Sequence, residues 1–156
     1  MQHLLSEQHC EYGRHFFEAS DFSGSLLDAC IEETLRLESP VQRMGRFSTE
    51  DIELEGEIIE QGHRIILMLG AANRDPRVFS DPDRYWPERP EREHLAFGYG
   101  HHFCSGAMLA RTEARVALQT LFSATRISLP EREGFEWHEN VALRALRTLP
   151  VQLQCF

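Results

Sequence analysis

Apolar positions along the 156-residue chain recur with two different periods, and the changes of period mark out its elements. Leu27, Ile31, Thr34 and Leu35 fall at helical spacing, Ser25 followed by Asp28 supplies an N-terminal capping signal, and Pro40 ends the pattern. This predicts a helix over residues 25–38. From Ile52 to Leu69 the composition turns β-branched, with Gly56 and Gln61-Gly62 as turn signals, which predicts a small antiparallel sheet over 52–69. Helical spacing returns from Gly106 to Phe122. There Leu109, Val116, Ala117, Leu121 and Phe122 are apolar, while Arg111, Arg115 and Gln119 form a polar stripe at four-residue spacing, so the apolar side is expected to face a core.

The segments between these elements carry their own signals. Residues 1–24 are polar and weakly periodic, broken by Gly13 and Gly24, and read as a helix fragment and loop. Residues 73–96 form a proline-rich meander, longer than most connections in a compact domain, which marks it as a functional loop. A glycine-rich loop over 97–106 follows it. Residues 123–156, interrupted at Leu149-Pro150, read as a C-terminal hairpin region. The pattern as a whole is α+β, with two main helices, a small antiparallel sheet, a long meander and no internal repeat, all in one partial domain spanning 1–156.

Composition narrows the partners. With 42% hydrophobic and 26% charged residues the chain has the make-up of a soluble globular domain. No stretch approaches the ~18 to 20 apolar residues that a membrane helix needs, and Met1 to Arg14 has no basic-then-apolar leader, so a cytoplasmic protein without membrane attachment is expected. The net charge is −9, and the 16 basic residues are all arginine and scattered, which leaves no footprint for nucleic acid. Cys10, Cys30, Cys104 and Cys155 lie far apart without a Cys-x-x-Cys pair, against both a disulfide framework and a structural zinc site. A cysteine with a role here acts alone.

Cys104 is the candidate. It lies in Phe97-Gly-Tyr-Gly-His-His-Phe-Cys-Ser-Gly106, just ahead of the second helix. A helix N-terminus carries unpaired N–H groups and partial positive charge, which favour a thiolate, the form that binds a metal. Gly98, Gly100 and Gly106 let backbone approach a flat ligand, and Phe97 can pack on its face. The alternative is a small buried cysteine in an ordinary loop. A closed zinc site needs four ligands, usually in paired spacing, which His94, His102 and Cys104 do not supply.

The string Phe97-Gly98-x-Gly100-x-His102-x-Cys104-x-Gly106 resembles the cysteine-ligand loop of the cytochrome P450 family, in the form common among bacterial members. Glu33-Thr-Leu-Arg36 resembles the family's Glu-x-x-Arg motif, and Asn73-Arg-Asp-Pro76, Phe79 and Arg89 resemble the segment leading towards the cysteine. The resemblance covers roughly residues 20 to 152. It implies the C-terminal portion of a mainly helical fold, with haem b (iron protoporphyrin IX) as cofactor and Cys104 as the iron ligand. It further implies that Glu33, Arg36 and Arg89 join in a buried structural network, and that Arg46 and His102 pair with haem propionates. Val41, Gln42, Ala142 and Leu143 match positions that line the substrate pocket in relatives.

The implied function is a haem-thiolate monooxygenase that inserts one oxygen atom of O2 into a small apolar organic substrate, using electrons from a ferredoxin or other electron-donor protein. Arg111 and Arg115 could offer positive charge to an acidic donor, or form a solvated face. Family members are more than twice this long, and the long helix across their distal haem face, with its acid and alcohol side chains, has no counterpart in these residues. No catalytic residue is therefore assigned. The alternative expectation is a truncated, non-catalytic remnant that binds haem weakly or not at all; a small haem sensor or carrier would need residues 1–24 to cover the distal side, and they are too short and polar for that.

Overall fold

The computed structural model describes residues 24–128 and 135–155. The helix fragment expected before residue 24 lies outside the described residues, as does Cys10. Helix α1, Gly24–Glu38, buries Leu27, Ala29, Cys30, Ile31 and Leu37, the apolar stripe that its spacing predicts. It starts one residue before Ser25, which therefore stands inside the first turn instead of capping it. At the other end Ser39 takes the left-handed conformation (φ 40°), donating its N–H to Leu35 O and its hydroxyl to Arg36 O. Gln42 Nε2 donates to the carbonyls of both Glu38 and Ser39, so the last turn has its acceptors satisfied before Pro40 forbids continuation.

The β region begins earlier than its composition suggests. Strand β1, Met44–Phe47, pairs antiparallel with β4, Arg64–Leu67, placing Met44 opposite Leu67 and Phe47 opposite Arg64. Between them β2, Ile52–Leu54, and β3, Glu57–Ile59, form a separate hairpin. The sheet expected over 52–69 thus misses β1 and runs past the last strand residue, Leu67. Four residues containing Gly45 and Arg46 show no alternation of their own, and only the pairing with β4 makes them a strand. The turn signals hold: Glu55 and Gly56 both have positive φ (51° and 87°), the two-residue connection whose twist matches paired strands.

One turn of helix, α2 (Leu69–Ala72), then delivers Asn73 to the meander. Helix α3, Ala107–Ala124, packs on α1 and runs directly into β5, Thr125–Ser128. That strand pairs with β8, Gln152–Cys155, enclosing a second ladder of β6, Glu136–Trp137, and β7, Leu146–Thr148. The C-terminal region is therefore two nested antiparallel ladders, with Leu149-Pro150 between β7 and β8. The middle of this region also reaches back to α1: Val41 bridges Leu143, Gln42 N–H donates to Ala142 O, and Arg144 N–H donates to Pro40 O.

α3 turns a different side to its neighbour than its pattern predicts. Leu109 and Val116, expected in a core, are 61% and 54% exposed, whereas the polar stripe meets α1: Arg111 pairs with Glu32 and Arg115 with Asp28. The acids on α1 explain the orientation, because they offer each arginine a charged acceptor across the helix contact. Among the described residues no helix is long and apolar enough to cross a membrane.

Candidate functional site

The loop ahead of α3 is shaped by its own backbone. Cys104 N–H donates to Phe97 O at 2.9 Å, so the first and eighth residues of the loop are tied together. Inside it, Gly100–His102 makes a 3-10 turn closed by Phe103 N–H on Gly100 O. Gly98 and Gly100 have φ of 76° and 65°, where a side chain is strained. A Cβ at Gly98 would also stand 3.3 Å from His102 O. At Gly106, the N-cap of α3, a Cβ would stand 3.8 Å from Cys104 Sγ, an ordinary contact. Cys104 itself is exposed, with Phe103 beside it.

These features fit a flat cofactor with a soft metal: an exposed cysteine at a helix N-terminus, and at Gly100 a stretch of backbone with open space where a side chain would stand. The expected carboxylate partners are uncommitted. Arg46, in β1, bonds the neighbouring Gly45 carbonyl at 2.8 Å and makes no ion pair among the described residues. His102 is exposed and has no hydrogen-bond partner among them. The four residues matched to substrate positions come together, since Val41–Gln42 crosses Ala142–Leu143. Gln42, however, spends its amide on the end of α1, and its Oε1 lies where a Cβ on Gly70 would be, 2.5 Å away. These contacts tie Gln42 to the end of α1 and to α2.

Behind the loop lies a buried charged network. Glu33 accepts from Arg36 Nε (2.8 Å) and Nη2 (2.9 Å), from Arg89 Nε (2.9 Å) and from Trp86 N–H (2.9 Å). The two arginines flank the Phe79 ring, 5.1 and 5.8 Å from its centroid, and spend their remaining donors on meander carbonyls of Ser80, Pro82 and Arg84. None of Glu33, Arg36 and Arg89 is more than 3% exposed. So many paired donors are what make buried charge tolerable.

Sequence reasoning quoted Asn73 only as part of a motif and missed what it does. Fully buried, Asn73 accepts Arg36 Nη1 on its carbonyl (2.6 Å), donates Nδ2 to Ser39 Oγ (2.8 Å) and accepts Leu95 N–H on Oδ1 (2.7 Å). It thereby joins the end of α1, the meander and the chain two residues before Phe97. Also missed was Glu32. Its carboxylate accepts Arg111 Nε and Nη2 (2.6 and 2.7 Å) and lies 3.0 Å from His94 Nε2. Burial pushes the Glu32 carboxyl up, but the hydrogen bonds and charges of Arg111 and His94 pull it down further, to about 2. No acidic residue in a sequence announces such a pairing without knowledge of which helices touch.

The zinc reading is not supported: among the described residues no three His, Cys, Asp or Glu side chains come together as a metal site, and His94 is turned onto Glu32. Arg111 and Arg115 are likewise not free cations, being held by Glu32 and Asp28.

Comparison with known proteins agrees with the family resemblance. The family model for cytochrome P450 matches residues 24–154. The biotin biosynthesis cytochrome P450 of Bacillus subtilis (strain 168) is 44% identical over 131 residues, covering 83% of this chain and 33% of the relative. The cytochrome P450 monooxygenase PikC of Streptomyces venezuelae is 40% identical over 131 residues, 82% of this chain and 32% of the relative. The crystal structure of P450BioI in complex with acyl carrier protein ligated to hexadec-9Z-enoic acid superposes with a TM-score of 0.76 at 41% identity, over 83% of this chain and 34% of that one. The chain spans about a third of the length of these relatives. On the match over residues 24–154 and identities of 40% and above, this chain belongs to the cytochrome P450 family.

Proposed function

We propose that this chain is the cysteine-bearing part of a haem-thiolate monooxygenase, with Cys104 as the iron ligand. The observation that carries this reading is the exposed Cys104, set at the N-terminus of α3 in a loop whose positive-φ turns at Gly98 and Gly100 require glycine. When bound, haem b supplies the one-electron and dioxygen chemistry of the reaction. The chain's own part is to hold and orient. Cys104 gives the thiolate, and the tie from its N–H to Phe97 O fixes the loop's span. Arg46 and His102, uncommitted to protein acids, would take the propionates. Glu33, Arg36, Arg89 and Asn73 keep the frame behind the loop rigid.

The substrate is proposed to be a small apolar organic molecule, as the fatty acyl group of the P450BioI complex illustrates for a relative, with Val41, Ala142 and Leu143 as candidates to meet it. Electrons would come from a ferredoxin or other donor protein. Its docking would not use Arg111 and Arg115, whose charges are already paired.

The exposure of Cys104 and of the Leu109 and Val116 face of α3 favours a second reading, in which this chain by itself holds haem weakly or not at all. One experiment separates them: reconstitute the chain with haemin, reduce it, add carbon monoxide and record the spectrum. The first reading expects a red-shifted thiolate band that disappears in Cys104→Ala. No band in the parent chain supports the second reading, and a band that survives Cys104→Ala overturns the ligand assignment.

A further inference from the structure

Glu32, His94 and Arg111 lie outside the residues that carry the proposed function, yet together they grip the start of the Cys104 loop. Glu32 comes from α1, Arg111 stands in α3 seven residues beyond Cys104, and His94 precedes Phe97 by three. Arg111 presents two nitrogens to the two oxygens of Glu32, a fork geometry that fixes the guanidinium plane as well as its position. That guanidinium lies 4.6 Å from the centroid of the Phe97 ring.

His94 approaches from another side. Its Nδ1 accepts Ala96 N–H at 3.2 Å, which places the ring proton on Nε2, where it is donated to Glu32 Oε2 at 3.0 Å. The imidazole side chain is only 3% exposed, and its centroid is 6.4 Å from that of Phe97. Phe97 is therefore held by a cation and an imidazole that share one carboxylate. Its carbonyl in turn receives the N–H of Cys104. The contacts run without a gap from α1 to the cysteine.

We propose that Glu32 and His94 are positioning residues for the Cys104 loop: through Arg111 they fix Phe97, and through Phe97 the direction in which the Cys104 sulfur meets the haem iron. The haem half of this proposal rests on Cys104 being the ligand. A purely structural ion pair would stabilise the whole chain without favouring the loop, which gives the test its form.

The haem-free chain is compared by residue-resolved amide hydrogen exchange as parent, Glu32→Gln, His94→Ala and His94→Gln, the last retaining a donor to Glu32. In Glu32→Gln and His94→Ala the Cys104 and Phe103 amides are expected to exchange about tenfold faster, the scale of one charge-assisted hydrogen bond. The Ser48 and Gly62 amides in the β1–β4 region should stay unchanged, and His94→Gln should restore the loop. Unmoved loop amides, or equal acceleration at Ser48 and Gly62, overturn the positioning role. With haemin bound, the carbon monoxide band of Glu32→Gln and His94→Ala should shift from the red-shifted thiolate position towards shorter wavelength. A parent that binds haemin but lacks the thiolate band overturns the ligand reading and the haem half with it. A parent that has the band, with variants that leave it unshifted, overturns the positioning of sulfur alone.

Discussion

The Glu33 network and the Cys104 loop are both reached from α1, and they are built in opposite ways. Around Glu33 every charged group is buried and meets several partners from distant parts of the chain, including Trp86, Ser80, Pro82 and Arg84. Around Cys104 the bonds are local backbone ones, and Tyr99 and Phe103 are 85% and 52% exposed. The contrast places the density of charge and hydrogen bonding in the frame and not around Cys104. On the proposed reading, a group that is to meet a large cofactor must not already be surrounded, and Cys104 sits where the chain binds itself least. Adjacent residues of α1 serve the two regions, since Glu33 faces the meander and Glu32 faces α3 and the loop.

The sharpest way to break the comparison is at Glu33. Glu33→Ala leaves Arg36 and Arg89 buried without a counter-charge, and the expected loss is about 3 to 5 kcal/mol. For a chain of this kind that means loss of cooperative unfolding by circular dichroism. A stability unchanged from the parent would show that the network carries no load. Asn73→Ala comes next: it strands Leu95 N–H and removes the bond to Ser39, with an expected loss of about 2 to 4 kcal/mol in denaturant unfolding.

Much of the frame could be read from sequence, because it is made of local signals. The α1 stripe, the Pro40 stop, the Glu55-Gly56 turn and the glycine spacing around Cys104 each depend on residues close together in the chain. What could not be read depends on partners far apart. β1 is a strand only through β4, Asn73 is a hub only because Ser39 and Leu95 converge on it, and α3 turns its arginines inwards only because Asp28 and Glu32 await them. Periodicity found the faces of α3 but could not say which one meets α1. Gln42 illustrates the same limit: nothing in the sequence announces that its amide satisfies the carbonyls that α1 leaves open.

Acid sharpens the comparison on the Glu32 side. Its carboxyl is lowered from 4.5 to about 2 in the folded chain, so the stabilisation is complete above 4.5 and is lost as pH falls towards 2, where the folded form also takes up the proton. Asp75 is lowered to about 2 as well, by hydrogen bonds from Arg77, but that guanidinium is 81% exposed. Salt screens exposed pairs more than half-buried ones. The decline in unfolding midpoint between pH 4.5 and 2 should therefore shrink in Glu32→Gln even at high salt. An undiminished decline in that variant would remove Glu32 as its source.

The smallest expected effect is at Cys104 itself. Cys30 is buried in the α1 core, and Cys30→Ala should cost about 1 kcal/mol of stability. Cys104 is exposed and its side chain bonds nothing among the described residues, so Cys104→Ala should leave the haem-free chain within about 0.5 kcal/mol of the parent. Denaturant unfolding of the two variants side by side decides the matter. A loss at 104 equal to that at 30 would place its sulfur in the packed frame, where it would be an inert core cysteine with no reason to meet a metal. Near-neutrality combined with loss of the carbon monoxide band would separate ligand from scaffold at one atom, since the frame would survive the change that the cofactor does not.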